Sequence, residues 1–418
     1  MIYRNQKAVA DASNYLAQTA MRLNPVELCN PTNLDDLADD WKKCALTDHF
    51  PDPQFKYDTF RLGNAAILGA RISKYWGTIQ YNCTPENKID GAILTILENR
   101  VKTALSTSDL ASYILREEDV NSQKAILEIY GRPSGSFITR CYDALEHPSS
   151  YFGQIKSHRF GSEAIAALTE KQYKATDIHA IFTKVLEYYG FKDWQCVLDS
   201  KTKTIDARDK TEDGHPKLIV PHRRKVNGFT LAKLIGHEIE SHIRGSENSR
   251  DLFRNILANT PLLPLAVLLA KSDDERFYEG VAKISDVEIE GDKAMPSHFY
   301  TIAIHLALDR HQGFGEVART MFALNTTGSS TRESAAKEAW KYTRRIFRGA
   351  TDTSTGFAFT KDYGYLEGYE TALNAPASYH DYSSMTLDEI KLLENAGVDL
   401  SMPRYPKRDA VRALLGIY

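Results

Sequence analysis

Two histidines and a glutamate share one short stretch near the middle of the 418-residue chain, Gly236-His237-Glu238-Ile239-Glu240-Ser241-His242-Ile243-Arg244-Gly245. Those side chains suit a zinc-dependent hydrolytic site, in which two histidines and a carboxylate hold the ion, a fourth position is left to water, and a glutamate acts as general base. In the familiar arrangement, His-Glu-x-x-His, a four-residue step brings both imidazoles to one helix face. Here the step is five. At about 100° per residue, the second histidine of a regular α-helix would stand roughly 140° from the first. The spacing therefore predicts a local defect between Ile239 and His242, a π-bulge or a tightened turn, of the kind concentrated at functional sites. The bland reading is a pair of surface or capping histidines, and a third ligand decides between the two.

The helix itself is expected from Leu231, Leu234, Ile235 and Ile239 at three- and four-residue steps, with Thr230 placed to cap it and Gly245 to stop it. Downstream, Asp273-Asp274-Glu275-Arg276-Phe277-Tyr278-Glu279-Gly280-Val281-Ala282 offers four acids. Glu275 and Glu279 would share a helix face, whereas Asp273 and Asp274 read as a solvated first turn. Spacing leaves Glu275 open, and Glu279 is favoured because the small residues Gly280 and Ala282 would let its helix pack closely on the histidine helix.

Three ordered blocks extend this pattern: His237 to His242, then Tyr278-Glu279-Gly280-Val281-Ala282, then Arg345-Ile346-Phe347-Arg348-Gly349 with Phe359-Thr360-Lys361-Asp362-Tyr363-Gly364-Tyr365-Leu366-Glu367-Gly368. With Asn24-Pro25, Tyr130-Gly131 and Pro133 upstream, they resemble the microtubule-associated tyrosine carboxypeptidases and their bacterial tyrosine/phenylalanine carboxypeptidase relatives. The resemblance implies that Glu279, the glutamate before glycine, is the third ligand to Zn²⁺. It also implies removal of a C-terminal tyrosine or phenylalanine from a peptide or protein. The chain departs from the family pattern at Glu240-Ser241, where the family has Gly-Thr, and at Tyr278, where it has Gln or Glu. A carboxylate at Glu240 is expected to add charge beside the ion.

On this reading His237, His242 and Glu279 hold the metal and Glu238 is the general base. Tyr365 donates to the developing oxyanion, its bland alternative being a core tyrosine. Arg348 and Lys361, on a glycine-punctuated stretch that reads as loop, are candidates to bind the substrate's free α-carboxylate, helped by Arg224 in the basic run His222-Arg223-Arg224-Lys225. Their bland alternatives are a helix cap, a surface ion pair and a solvated turn. Two rivals share the sequence pattern: a zinc dipeptidyl peptidase or endopeptidase, and a catalytically silent zinc-binding module. Retention of Glu238 speaks against the second, because a purely structural metal needs no base.

The elements that must position these groups read as a predominantly helical α+β fold, a zincin-like catalytic core with a small β-sheet beside the metal helix. Residues 1–165 read as a helical cap or scaffold, with Ile89 to Leu105 and Asp119 to Tyr130 the clearest amphipathic stretches, and 166–418 as the catalytic domain. In the latter, a helix from Ala175 to Tyr189 stops at Gly190, and three short strands follow at Trp194 to Leu198, Thr204 to Ala207 and Lys217 to Pro221. A net charge of -3 gives no reason to expect nucleic acid or an anionic membrane as partner. Five scattered cysteines with no Cys-x-x-Cys pair suit reduced thiols in a cytoplasmic setting. The first twenty residues are too polar for a signal peptide, and the apolar run from Leu262 to Ala270 contains Pro264 and is too short to span a membrane.

Overall fold

Apolar residues recurring at helical steps dominate the chain, and in the structure, a computed structural model, helix makes up 66% with only small sheets, the expected helical α+β build. The structure describes residues 1–146, 160–208, 215–290, 298–326 and 331–415. The chain divides into two units, each assembled from discontinuous stretches. One comprises Met1–Glu86, Leu94–Ser150 and Ser297–Gly364, so residues 297–364 join the N-terminal helices; the other comprises Asn87–Ile93, Tyr151–Pro296 and Tyr365–Tyr418. No helix among the described residues is long and apolar enough to cross a membrane.

The first unit is built on helices. The amphipathic stretch expected from Ile89 runs on as one helix, Lys88–Leu115, of which this unit holds the part from Leu94, because Leu110, Ala111 and Ile114 continue its buried stripe. Asp119–Tyr130 is helical as expected. Trp41, Phe50, Phe314, Trp340 and Phe347 form an aromatic core whose rings meet edge-on or tilted at 5.2 to 6.1 Å. Phe55 joins that core, but Tyr81 is 69% exposed, with Arg4 over its ring.

The first unit has a two-stranded pairing of Ile2–Tyr3 with Cys83–Thr84, and the second carries the sheets near the histidines. Strand β1 (Gln172–Lys174) leads into α1 (Ala175–Tyr189), which Gly190 closes in the left-handed conformation. Strands β2 (Gln195–Asp199), β3 (Asp206–Arg208) and β4 (Lys217–Pro221) form one sheet in the order β2-β4-β3, with β4 parallel to β2 and antiparallel to β3. Strand β5 (Lys225–Asn227) pairs with β1 instead. Asn227, not Thr230, is the cap: its side chain accepts from the Thr230 amide at 2.8 Å, so α2 (Gly228–Leu234) starts three residues earlier than the apolar pattern suggests. The chain then passes into a π-helix, Ile235–Ile243, and on into α3 (Arg244–Ile256).

Gly245 therefore does not stop the helix. A Cβ there would stand 2.3 Å from the Ser383 hydroxyl, so its smallness serves close approach rather than termination. The buried face of α3 is polar, Arg244 to Arg250; Glu247 accepts from Trp194 at 2.9 Å and pairs with Arg250, and other groups are met by chain that follows much later. Arg244 pairs with Asp381, Asn248 holds the Tyr405 backbone through N–H and C=O at 2.8 and 3.0 Å, and the Glu240 carboxylate accepts from the Ala410 amide at 3.0 Å.

Helix α4 (Arg276–Glu290) packs along the π-helix, and α5 (Gly364–Asn374) approaches α4 closely where Gly368 meets Arg276 and Gly280. The small residue beside Glu279 serves this close approach and not, as the sequence suggested, the packing on the histidine helix: a Cβ on Gly280 would lie 2.0 Å from the Gly368 carbonyl oxygen. Backbone cannot step aside as a side-chain tip does. Gly280→Ala is expected to destabilise the protein by about 1–3 kcal/mol or more, a loss read as a lower urea midpoint at unchanged slope.

Candidate metal centre

A π-helix bonds residue i to i+5 as an α-helix bonds i to i+4, so the fifth residue returns to the starting face. The Arg244 amide donates to the Ile239 carbonyl in this pattern, and the Ser241 hydroxyl donates to the Gly236 carbonyl at 2.8 Å. His242 accordingly comes back over His237, their ring centroids 4.8 Å apart and their planes at 89°. The extra residue is absorbed over nine residues rather than by a single bulge.

Helix α4 brings the third group. Ligand-type atoms of His237, His242 and Glu279 all lie within 4.8 Å of one another, and His242 Nε2 is 3.7 Å from Glu279 Oε2. Glu275, one turn earlier, faces Lys271 at 4.0 Å instead. Two donors bound at about 2.1 Å stand at most about 4.2 Å apart, so only a small inward adjustment separates this constellation from a coordinating one. Two imidazoles and one carboxylate suit zinc better than the oxygen-only sites of calcium or magnesium.

The arrangement around His237 also fits a metal. Its Nδ1 hydrogen-bonds Asp286 Oδ1 at 3.1 Å, which leaves Nε2 as the ligand atom and fixes the ring, while Lys283 donates to Asp286 Oδ2 at 2.8 Å. Burial works against the Asp286 charge, but His237 and Lys283 outweigh it and hold the carboxyl at about 2. Burial likewise disfavours a charged His237, and the Asp286 carboxylate overrides it, raising the imidazole to about 9. Asp286 and Lys283 were not foreseen, although they sit seven and four residues beyond Glu279 on the same helix face, a spacing the sequence displays.

Glu238 stands beside the sheet. The β3 amide of Ala207 donates to its carboxylate, so the edge strand of the sheet runs next to the expected base. Burial pushes Glu238 up to about 7, with His237 opposing and the Asp206 and Glu279 carboxylates adding to the rise.

The two departures from the family pattern resolve differently. Glu240 is 1% exposed and accepts from Ala410, so the chain uses the carboxylate that was expected to charge the metal's surroundings as a backbone acceptor. Tyr278 lies against His242, with ring centroids 4.0 Å apart and planes 30° from parallel.

The remaining candidates are spread more widely. Tyr365 is on helix α5, not in a loop, half-buried and within electrostatic reach of Lys283. Arg224 lies in the turn between β4 and β5, its amide bonded to the Pro221 carbonyl at 3.0 Å and its Nε buried without a hydrogen-bond partner among the described residues. Arg348 and Lys361 belong to the first unit. Arg348 follows the helix Arg332–Ile346, and Lys361 lies in a 3₁₀ turn, Thr360–Tyr363. Both act with Arg345 to hold the buried Asp362 carboxyl below its usual range against the cost of burial, and Arg345 donates to it twice, at 2.8 and 2.7 Å. Three cations thus face one carboxylate.

Fold and cluster together define a predominantly helical α+β protein with a His-His-Glu constellation able to hold a metal. The family model described as microtubule-associated tyrosine carboxypeptidase matches residues 323–393, the stretch that contains Arg348, Lys361 and Tyr365 and follows all three cluster residues. This match supports the resemblance carried by the three sequence blocks. No curated protein matches the chain.

In the metal-free protein, His237 has a folded-state pKa above its ordinary 6.5. Its proton therefore stabilises the fold fully below about pH 6.5, and this contribution is lost as pH rises through about 9. Titration of histidine-labelled protein by NMR is expected to give a His237 midpoint near 9 in the wild type. In Asp286→Asn, where burial is opposed only by the Glu238 and Glu279 carboxylates, the midpoint should fall well below that of the wild type.

Proposed function

We propose that the chain is a zinc-dependent metallocarboxypeptidase that removes a C-terminal aromatic residue, Tyr or Phe, from a peptide or protein. The observation that carries this reading is the π-helical return of His242 over His237 against Glu279, with Glu238 on the same helix and beside a sheet edge. A structural metal would need the first three and not the fourth. The family match supports the carboxypeptidase class.

Zinc held by His237, His242 and Glu279 would supply Lewis acidity toward the scissile carbonyl and its attacking water. Glu238 takes the proton of that water and returns it to the leaving amine. Asp286, itself fixed by Lys283, holds the His237 ring through Nδ1. Tyr365 donates a hydrogen bond to the oxygen on which negative charge develops, a contribution of roughly 3 kcal/mol for comparable donors. Arg348 and Lys361, with Arg224, read the free α-carboxylate that marks the last residue. The place of Arg348 and Lys361 on the stretch that the family model matches supports that role.

Metal analysis after purification without chelators is expected to find one zinc per chain. His242→Ala should lose it, Glu279→Ala should weaken it strongly, and Glu275→Ala should leave it in place. Glu238→Gln should keep the zinc and lose about 10²- to 10⁴-fold in turnover, because an amide keeps the shape and cannot accept a proton. Wild-type turnover in that variant would remove Glu238 from the mechanism.

Mass spectrometry of peptides ending in free Tyr, amidated Tyr, Phe and Ala tests the reading as a whole. Loss of one residue from free Tyr and Phe ends alone is expected. Arg348→Ala and Lys361→Ala should each lower kcat/KM on these by roughly 10- to 150-fold, the worth of a hydrogen bond to a charged group. Equal cleavage of free and amidated ends would refute the carboxypeptidase assignment and favour an endopeptidase.

A further inference from the structure

We propose that Tyr278 is a positioning residue that aims the His242 imidazole by stacking, at a position where the resembled family carries Gln or Glu. The inference rests on the zinc reading for its consequence and on the geometry for its substance. Helix α4 meets His242 with two consecutive side chains. Glu279 approaches its edge, 3.7 Å from Nε2, and Tyr278 covers its face at 4.0 Å between centroids and a 30° tilt. The rings are too close for either to rotate freely past the other.

The phenol is itself held. It is 6% exposed, its hydroxyl lies 3.4 Å from the Ser246 hydroxyl, and Lys271 Nζ stands 5.1 Å from its ring centroid. Ser246 is four residues beyond His242, so the same stretch that carries the ligand also anchors the ring that braces it. An imidazole bound to a dication gains positive character, and the face of a phenol ring carries the electron density that favours it. A tyrosine face over the imidazole offers no hydrogen bond to a ring nitrogen and acts by contact and electrostatics. Hydroxyl loss should then matter little and ring loss much.

The test compares wild type with Tyr278→Phe, Tyr278→Leu and Tyr278→Gln in the full chain. Zinc affinity is measured by chelator competition, the visible spectrum is recorded with cobalt in place of zinc, and the His242 ring protons are followed by NMR in the metal-free protein. The phenylalanine variant should bind zinc within about twofold of wild type, while leucine and glutamine should lose about tenfold or more and alter the cobalt bands. In wild type and Tyr278→Phe the His242 ring protons should be displaced upfield by the neighbouring ring, and in the other two that displacement should vanish. Wild-type zinc affinity in Tyr278→Leu, or a loss in Tyr278→Phe as large as in Tyr278→Leu, overturns the proposal. If wild type takes up no zinc, it is the proposed function that fails, and the ring-proton displacement alone judges the role of Tyr278. If the leucine and glutamine variants do not fold, unshifted His242 ring protons in either wild type or Tyr278→Phe overturn it.

Discussion

The i to i+5 hydrogen-bond pattern of Ile235–Ile243 is the constraint on which the rest of the second unit depends. A helix of this kind is rare because its backbone geometry is not the one a free chain prefers, so the surroundings must hold it. Ile235, Ile239 and Ile243, all fully buried, lock one side into the core with Leu231, Phe182 and Leu218. Their four-residue rhythm is that of an α-helix, while the histidines on the other side keep a rhythm of five. Side chains also bridge the wide turn: Ser241 reaches the Gly236 carbonyl, and Arg244 Nε reaches the Glu240 carbonyl at 2.6 Å.

Charge follows from this geometry. Glu238, Glu279 and Asp286 converge on the histidine face, with Asp206 near Glu238, and the groups answering them are His237 and Lys283. In the metal-free protein the Asp286 carboxylate holds a proton on His237 against the cost of burial, and burial, with Asp206 and Glu279 beside it, raises Glu238. A dication would add to the charge answering these carboxylates. Lys283 keeps Asp286 oriented through its second oxygen, so the carboxylate is fixed from both sides and the imidazole bonded to it cannot turn.

Local signals in the sequence specified local structure well. Ala175 to Tyr189 ends at Gly190 and Lys217 to Pro221 forms a strand, as periodicity and turn chemistry indicate. The five-residue spacing of His237 and His242 carried the helical defect, because simple rotation arithmetic excludes a regular α-helix there. Features that depend on distant chain were not legible. Gly245 reads as a helix stop until Ser383 is known to press on it, and Tyr365 reads as loop because glycines flank it, although Gly368 is there to let α5 approach α4 closely. Glu240 reads as a charge near the metal because nothing in its neighbourhood announces Ala410 as its partner. Asp286 and Lys283 were visible as a face of α4, but an acid and a lysine on a helix face are ordinary without a histidine opposite.

The partners of the buried polar face of α3 and of Glu240 have a consequence for how the protein is made. Arg244 waits for Asp381, 137 residues further on, Asn248 for Tyr405 at a separation of 157, and Glu240 for Ala410 at 170. At about 5–20 residues per second, a ribosome spends on the order of ten seconds or more between making the histidine helix and making the chain that covers it. Through that interval Arg244, Asn248 and Glu240 lack these partners. The segment carrying the histidines is thus synthesised midway and completed late, and a nascent chain does not possess the finished constellation while its own later segments are still emerging.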